Sequence, residues 1–307
     1  MKNLKSKILV ILGPTSSGKT KLAVQLACKF NGEIVSADSR QVYKGMDVGT
    51  GKDLKEYKVK GKKIPYHLID IVSPNTKFDL AKYQKLAFKA IDDILKRRKL
   101  PILTGGTGLY LQAVVDNYDL SGVRPDQEFR KKLENSSLDE LFLKIKKDNP
   151  KLAARINGSD RKNKRRLIRY LEILEGESSF FGRQSRKKYE ALIIGLTLPK
   201  EILDERIHKR LIGRLENEKL VEEVIRLHKK EVSWKRLEGF GLEYKFISWC
   251  LQDKLEYGEM VQKLFIASRQ FAKRQMVWFK RWEKQGAEII WLRDKAKIIN
   301  LIKKFEK

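Results

Sequence analysis

Eight residues near the start of the chain have the types and spacing of a loop that binds pyrophosphate. Residues 13–20 fit the pattern G-x-x-x-x-G-K-[ST], with an apolar run before them and a helical pattern after them. The backbone N–H groups of such a loop converge on phosphate oxygens at a helix N-terminus. Its lysine would neutralise phosphate charge, and its last hydroxyl would hold Mg²⁺. The predicted ligand-binding residues are Gly13, Pro14, Thr15, Ser16, Ser17, Gly18, Lys19 and Thr20. The motif leaves the identity of the ligand and the reaction open.

An aspartate and a glycine-rich turn each follow an apolar run, as the P-loop does. Asp38 comes directly after the run 33–37, and Thr107 lies in the turn 105–108 that follows the run 101–104. Ligands of parallel α/β sheets bind at the carboxyl ends of the strands. We therefore expect the P-loop, Asp38 and Thr107 to meet at one edge of a sheet.

The elements that position these residues alternate between strands and helices in the first third of the chain. Apolar runs predict strands at 8–12, 33–37, 66–72 and 101–104, and apolar residues at helical spacing predict a helix over 78–98. This order predicts an α/β fold with a P-loop NTPase-like parallel sheet core.

The pattern changes near residue 116, where strand signals stop and helical stretches with many basic residues begin. We predict a helical, basic insertion domain over 116–189. A strand signal returns at 191–196, and the remaining sequence is mostly helical in pattern. The core would therefore comprise 1–115 and 190–307, with a helical C-terminal region.

The charge of the chain favours a polyanionic partner. Its 307 residues include 67 Lys and Arg against 39 Asp and Glu, which gives a net charge of +28. The alternative is a lysine-rich surface without a specific partner. The longest apolar runs fall well short of the roughly 18 residues of a membrane helix, and Cys28 and Cys250 do not have a metal-binding spacing. We expect a cytoplasmic monomer with reduced cysteines and no membrane partner.

Four segments in order carry a specific resemblance. They are the P-loop, SADSRQVYKGMDVGT at 36–50, GGTGLY at 105–110 and RQFAKRQMVWF at 269–279. Together they resemble the tRNA dimethylallyltransferases, also named tRNA isopentenyltransferases of the MiaA type. The resemblance implies transfer of the dimethylallyl group of dimethylallyl diphosphate to N6 of adenosine 37, beside the tRNA anticodon. Pyrophosphate would leave, giving N6-(dimethylallyl)adenosine, and the P-loop would bind the prenyl donor rather than ATP.

The resemblance also implies roles for several polar side chains. Asp38 would accept a proton from the adenine amine, which is a poor nucleophile. Lys19 and Thr107, with the loop amides and Mg²⁺ on Thr20, would stabilise the departing pyrophosphate. The alternatives are that Asp38 caps the following turn and that Thr107 is an ordinary turn residue.

The residues that resemble the family's tRNA contacts lie in three regions. The segment that begins at Asp38 would contact a base flipped out of its stack. The insertion would contact phosphates, although Lys162 and Asn163 stand where the family commonly has Asn and Asp. The C-terminal segment would hold RNA with basic and aromatic side chains, while Phe271 and Phe279 are expected in the core. The alternative for the basic residues is a solvated helix face. The predicted tRNA-binding residues are Asp38, Ser39, Arg40, Gln41, Thr107, Arg130, Lys162, Asn163, Lys164, Arg165, Arg166, Arg269, Lys273 and Arg274.

Three other functions are compatible with the P-loop. An adenylate prenyltransferase would share the loop and an aspartate, a small-molecule or nucleotide kinase would transfer phosphate from ATP, and a non-catalytic RNA-binding protein would bind tRNA without turnover. The basic insertion and the segment 269–279 favour the tRNA enzyme. Residues 239–245 depart from the family pattern, so no arginine near them is assigned a catalytic role.

Overall fold

The chain divides into two compact units. The first and larger unit comprises Met1–Asn117 with Lys187–Lys307, and the second comprises Tyr118–Arg186. The structure is a computed structural model and describes residues 6–59, 61–120, 126–176, 186–292 and 294–306. Two parts of the predicted insertion, 121–125 and 177–185, lie outside the described residues.

Parallel strands form the centre of the first unit. The strands are β1 (Lys7–Leu12), β2 (Gly32–Ser36), β3 (Lys58–Val59), β4 (Lys62–Lys63), β5 (Tyr66–His67), β6 (Leu100–Gly105), β7 (Glu190–Gly195) and β8 (Ile289–Trp291). Across the described residues, six of them form one parallel sheet in the order β5-β2-β6-β1-β7-β8, and β3 pairs with β4 antiparallel. The P-loop NTPase-like parallel sheet predicted from the sequence is thereby confirmed. Since β2, β6 and β1 are neighbours, the loops that follow them lie side by side.

Helices cover the sheet and form the second unit. They are α1 (Lys19–Lys29), a 3₁₀ helix (Leu54–Tyr57), α2 (Leu80–Lys96), α3 (Gly108–Val115), α4 (Gln127–Lys132), α5 (Leu138–Asp148), α6 (Pro150–Ala153), α7 (Gly158–Arg161), α8 (Lys164–Glu175), α9 (Lys200–Glu216), α10 (Leu220–Lys229), α11 (Trp234–Phe240), α12 (Leu242–Cys250), α13 (Tyr257–Lys284) and α14 (Lys295–Glu306). Among the described residues, no helix has the length and apolar character needed to cross a bilayer.

The central strand β1 explains why the sheet is covered on both faces. Residues 8–12 are all apolar and fully buried, which is typical of a central parallel strand. Leu9 and Ile11 pack into a core that includes residues of α1 and α14. The alternate residues, Val10 among them, pack into a second core with α2, α3 and α13. Helices α9 to α13 share a third core, which includes Leu211 and Val224.

Two predicted elements differ from the structure. The strand predicted over 66–72 ends at His67, because Leu68 and Asp70 adopt left-handed φ values of 65° and 57°. Such φ values are incompatible with a continuing strand. The short strand β8 lies in a region predicted to be mostly helical, and it adds an edge to the sheet beside β7.

The second unit is helical throughout its described residues. Helices α5, α6 and α8 form a separate apolar core that includes Leu141, Ile145, Leu167 and Leu171, and Phe129 of α4 packs against it. Side chains cap the helix N-termini by accepting backbone N–H bonds, as Ser137 does at α5 in a complete capping box. These local signals stabilise short helices that would be marginal alone.

Candidate active site

Three loops at the carboxyl ends of β1, β2 and β6 meet at one edge of the sheet. The backbone N–H of Ser39 donates to the hydroxyl of Thr107 at 3.0 Å, and the Thr107 N–H donates to the carbonyl of Ala37 at 3.1 Å. Thr107 is the N-cap residue of α3, yet its hydroxyl binds the β2 loop instead of capping that helix. The P-loop lysine, Asp38 and Thr107 line one cavity.

The P-loop has the backbone geometry of an anion-binding loop. Ser16 and Gly18 adopt positive φ values of 60° and 86°, and α1 begins at Lys19 without a side-chain cap. Its first N–H groups are therefore available to a ligand. At Gly13 a Cβ would lie 2.8 Å from the carbonyl of Leu196, so a side chain does not fit there.

Gln275 of α13 bonds to two of these loops. The backbone N–H of Thr15 donates to its Oε1 at 2.8 Å, and its Nε2 donates to the carbonyl of Gly106 at 2.8 Å. The side chain is buried, and a Cβ on Gly106 would lie 2.2 Å from Nε2. Helix α13 thus fixes the spacing between the P-loop and the turn after β6.

Asp38 is half-buried and lines the cavity. Its Oδ1 accepts the backbone N–H of Arg40 at 2.8 Å, which is the turn-capping contact considered as an alternative. One oxygen of the carboxylate therefore stabilises the loop. The other oxygen would serve as the base, so the two interpretations of Asp38 are compatible.

Two cations beside the P-loop have lowered pKa values. Burial and the Arg210 guanidinium lower the pKa of Lys19 to about 8, against the opposing effect of Asp38. Burial and the Arg214 guanidinium lower the pKa of Arg210 to about 10. Arg210 also donates to the Thr15 hydroxyl at 3.3 Å. Both groups would be stabilised by a bound anion.

Sequence reasoning missed Arg210 as a site residue. It lies on α9, far from the P-loop in sequence, and such a lysine- and arginine-rich helix is usually solvated. The available signal was the i, i+4 spacing of Arg206, Arg210 and Arg214, which places three guanidinium groups on one helix face.

A buried lysine anchors the segment that follows Asp38. Lys52 is fully buried, and its ammonium donates to the carbonyl of Tyr43 at 2.8 Å and to Asp47 Oδ1 at 2.7 Å. It also pairs with Asp70, which stands in the left-handed turn after β5. A buried ammonium with three acceptors is satisfied, so this contact holds the loop in one conformation.

A buried carboxylate on α10 holds the same segment from the other side. Glu223 accepts backbone N–H groups from Asp47 and Val48 at 2.8 Å and from Gly49 at 3.1 Å. The hydroxyl of Tyr244 donates to it at 2.8 Å. These contacts tie the loop after β2 to the helical part of the first unit.

The loops and helices together enclose a cavity of about 640 Å³. Its lining includes charged side chains, among them Lys19, Asp38 and Arg210. It also includes apolar residues of α9, α11, α12 and α13, among them Ile207, Leu211, Phe240, Leu242, Phe246, Phe271 and Trp278. Phe279 is buried in the core as predicted, whereas Phe271 lines this cavity instead. A ligand with a diphosphate and a short apolar tail would find both charged and apolar side chains in this cavity.

Comparison with known proteins identifies the family. The family model described as IPP transferase matches residues 41–282. The chain is 45% identical over 294 residues to tRNA dimethylallyltransferase 1 of Syntrophus aciditrophicus, covering 95% of this chain and 94% of that protein. It is also 45% identical to tRNA dimethylallyltransferase 2 of Treponema denticola, covering 94% and 96%. The chain belongs to the IPP transferase family.

Solved structures agree with this membership. The tRNA isopentenylpyrophosphate transferase of Bacillus halodurans aligns with a TM-score of 0.71 and 35% identity, over 98% of this chain and 95% of that one. A eukaryotic dimethylallyltransferase, described as acting on tRNA, aligns with a TM-score of 0.78 and 26% identity, over 95% and 75%. The parallel sheet and its helices are thus the fold of the IPP transferase family.

The tRNA contacts predicted near β2 differ in how accessible their side chains are. Gln41 is buried, accepts the Ser36 hydroxyl at 2.8 Å and donates to the Gly51 carbonyl at 3.1 Å. The Arg40 guanidinium lies 5.4 Å from the centre of the Phe240 ring, and Arg40 lines the cavity. Gln41 therefore has an internal structural function, whereas Arg40 is better placed to meet a ligand. Both remain predicted contacts of this IPP transferase.

The predicted C-terminal contacts lie on α13. Arg269 pairs with Asp204 at 2.8 Å, Lys273 is exposed, and Arg274 lines the cavity. The predicted RNA contact is thus most direct for Lys273 and Arg274, because Arg269 already has an acidic partner.

The predicted contacts on the second unit fall into two groups. Arg130 donates to the buried Glu172 through Nε at 2.6 Å and Nη2 at 3.0 Å, so it stabilises the unit itself. Asn163 caps α8 by accepting the Arg166 N–H at 3.3 Å. The remaining residues are half-buried or exposed: Lys162 and Arg165 are exposed, the Lys164 ammonium donates to the Glu134 carbonyl, and the Arg166 guanidinium pairs with Asp160.

The site also suits a magnesium ion bound together with a diphosphate. Among the described residues no group of three or more His, Cys, Asp or Glu could hold a metal. Mg²⁺ instead commonly takes one or two protein oxygens and completes its shell with phosphate and water. The Thr20 hydroxyl and the Asp53 carboxylate line the cavity beside Lys19 and fit that chemistry.

Proposed function

We propose that this protein transfers the dimethylallyl group of dimethylallyl diphosphate to N6 of adenosine 37 in tRNA and releases pyrophosphate. Family membership supports the reaction class, because its relatives are named tRNA dimethylallyltransferases. The observation that carries the proposal is the position of Asp38, which shares one cavity with the P-loop and Thr107. Apolar side chains of α9, α11, α12 and α13 also line this cavity and would hold the five-carbon tail of the prenyl donor.

The residues of the cavity can account for the bonds that form and break and for the proton that is released. The adenine amine attacks the first carbon of the prenyl chain, the new N–C bond forms, and the C–O bond to the diphosphate breaks. Asp38 would take the amine proton, and Lys19 with Arg210 would stabilise the charge that develops on the leaving group. Mg²⁺ held by Thr20, with Asp53 nearby, would supply further charge neutralisation. Thr107, whose hydroxyl accepts the Ser39 N–H, would also stabilise the departing pyrophosphate from the same cavity.

The partner RNA would be the anticodon stem-loop, since adenosine 37 lies beside the anticodon. The charge of +28 supports a polyanionic partner. The exposed cations Lys162 and Arg165 of the second unit and Lys273 of α13 would contact phosphates, and Arg40 would meet the extruded base.

The proposal is tested by competition between acceptors. Labelled dimethylallyl diphosphate and Mg²⁺ are supplied with unmodified tRNA together with AMP, ADP and ATP. The proposal requires label in tRNA. Label in free nucleotide would indicate an adenylate prenyltransferase, and ATP consumption without prenyl transfer would indicate a kinase. tRNA binding without either reaction would indicate a non-catalytic RNA-binding protein.

A further inference from the structure

Two guanidinium groups lie side by side on α9, against the backbone of the loop after β2. A Cβ built on Gly51 would lie 1.9 Å from Arg210 Nη2 and 2.1 Å from Arg214 Nη2. Both nitrogens therefore contact the same Cα, and Gly51 has a left-handed φ of 61°. Arg214 is buried and Arg210 is half-buried, and two like charges this close are costly unless an anion compensates them.

Arg214 is buried with part of its hydrogen-bonding capacity unused. It is 4% exposed, and within the described chain its Nη2 has no hydrogen-bond partner. The Nε of Arg210 is likewise buried without one. A buried charged donor without an acceptor loses its hydration and gains nothing in return. Both side chains line the cavity, so a bound anion would supply the acceptors that are lacking.

The carboxylate that faces Arg214 belongs to the first turn of α12. Glu243 Oε1 lies 3.5 Å from Arg214 Nη1, close enough for an ion pair and long for a hydrogen bond. Burial raises the pKa of Glu243, and the guanidinium of Arg214 opposes that rise. Glu243 follows Gly241, whose φ of 75° turns the chain into the helix and directs this residue to the cavity.

The cavity carries more cations than carboxylates. Lys19, Arg40, Arg210, Arg214, Lys245 and Arg274 line it, against Asp38, Asp53 and Glu243. Arg210 donates to the Thr15 hydroxyl of the P-loop, and Arg214 lies one helical turn beyond it on α9. A diphosphate that spans the P-loop and α9 would compensate this surplus.

We propose that Arg214 is a second guanidinium that binds the departing diphosphate and that Glu243 is its positioning residue. This inference rests on the proposed function, because it assigns part of the same ligand to the same cavity. Arg214 contributes donors to the pyrophosphate oxygens as the C–O bond breaks. Glu243 holds the guanidinium beside Arg210 and reduces the repulsion between the two.

The test measures the affinity for inorganic pyrophosphate with Mg²⁺ by titration calorimetry. Arg214→Met keeps the length of the side chain and removes its charge and donors, and we expect affinity to fall by about 10–100-fold. Affinity for tRNA should stay within about twofold. Lys209→Met removes an exposed charge from the neighbouring position of α9 and should leave both affinities unchanged. Arg214→Met with the pyrophosphate affinity of the parent protein would overturn the proposal.

A loss of folding is separated from a loss of binding by a milder variant. Arg214→Lys keeps the charge but not the planar fork, and we expect an intermediate loss of about 3–10-fold in pyrophosphate affinity. Parent-like affinity in a folded Arg214→Lys protein, together with an unfolded Arg214→Met protein, would mean that Arg214 is structural and would overturn the proposal.

The role of Glu243 is tested by a double-mutant cycle in single turnover. If Glu243 acts through Arg214, Glu243→Gln slows prenyl transfer in the parent protein and has little further effect in Arg214→Met. Additive effects would show that Glu243 acts independently and would overturn its positioning role. Failure of the parent protein to prenylate tRNA would sink the proposed function instead, while the calorimetry would still report on Arg214.

Discussion

The backbone N–H of Thr15 donates a hydrogen bond to the side chain of Gln275 at 2.8 Å, across 260 residues of sequence. The same amide donates to Gly106, so one side chain of α13 bonds to the P-loop and to the turn after β6. Both bonds are short and shielded, and each loop presents a group to the cavity. Helix α13 is therefore part of the architecture around the proposed diphosphate site.

Replacing Gln275 tests this connection. Gln275→Leu leaves the Thr15 N–H and the Gly106 carbonyl without their partner, and we expect unfolding free energy to fall by about 1–3 kcal/mol. Chemical denaturation measures this loss, and the KM for the prenyl donor should rise with it. Gln275→Glu retains the acceptor for Thr15 but loses the donor to Gly106, and its carboxylate would repel the diphosphate. Equal stability and KM in all three proteins would show that the two bonds do not organise the site.

The two interpretations of Asp38 can be separated with two substitutions. Asp38→Asn retains an oxygen that can accept the Arg40 N–H, but it cannot take a proton from the substrate. We expect it to slow the chemical step by about 10²–10⁴-fold in single turnover while the affinity for tRNA largely survives. Asp38→Ala loses the turn bond as well and should also be less stable. A near-normal rate for Asp38→Asn would exclude Asp38 as the base.

The lowered pKa of Lys19 predicts how diphosphate binding depends on pH. The protonated lysine binds the anion, and a bound diphosphate raises its pKa above the free value of about 8. Below that pH both states are protonated and the lysine adds no pH dependence. Above it the free protein loses the proton, so affinity should fall by up to about tenfold per pH unit.

Lys19→Met provides the reference for this measurement. Pyrophosphate titrates by itself, but that contribution is common to both proteins and cancels in their ratio. The advantage of the parent protein over Lys19→Met should shrink as pH rises above about 8. A constant ratio from pH 7 to about pH 9 would contradict the assignment.

The second unit allows a comparison of two adjacent arginines. Arg166 pairs with Asp160, whereas Arg165 is exposed and has no ion-pair partner among the described residues. Arg165→Ala should therefore weaken tRNA binding. The slope of log affinity against log salt concentration should fall by the amount expected for about one phosphate contact. Arg166→Ala should have a smaller effect, because its charge is already compensated. The measurement is tRNA affinity at several salt concentrations, and equal slopes for the parent and Arg165→Ala would exclude the contact.

The sequence predicts that the P-loop, Asp38 and Thr107 lie close together, because each follows an apolar strand. Local pattern and the rule for parallel sheets suffice for such groups. The same pattern gave the sheet core, but it extended the strand at 66–72 too far. Its apolar residues continue past His67, and nothing in their periodicity reveals the left-handed backbone at Leu68 and Asp70.

The sequence pattern does not single out four polar residues that the structure places at or beside the site. Gln275, Arg210, Lys52 and Glu223 are polar, and the partners that define Gln275, Arg210 and Glu223 lie more than 150 residues away. In a chain this rich in charge, a polar residue on a helix is expected to face solvent. The contacts of Gln275, Arg210 and Glu223 follow from how α9, α10 and α13 pack around the loops, which no local window contains.

The most direct test of the central claim is the site of modification. Two transcripts of the same tRNA, one with adenosine 37 and one with guanosine 37, are incubated with dimethylallyl diphosphate, Mg²⁺ and the protein, and their nucleosides are identified by mass spectrometry. We predict N6-(dimethylallyl)adenosine and stoichiometric pyrophosphate from the first transcript and neither from the second. Equal prenylation of both transcripts, or no prenyl nucleoside from either, would contradict the account.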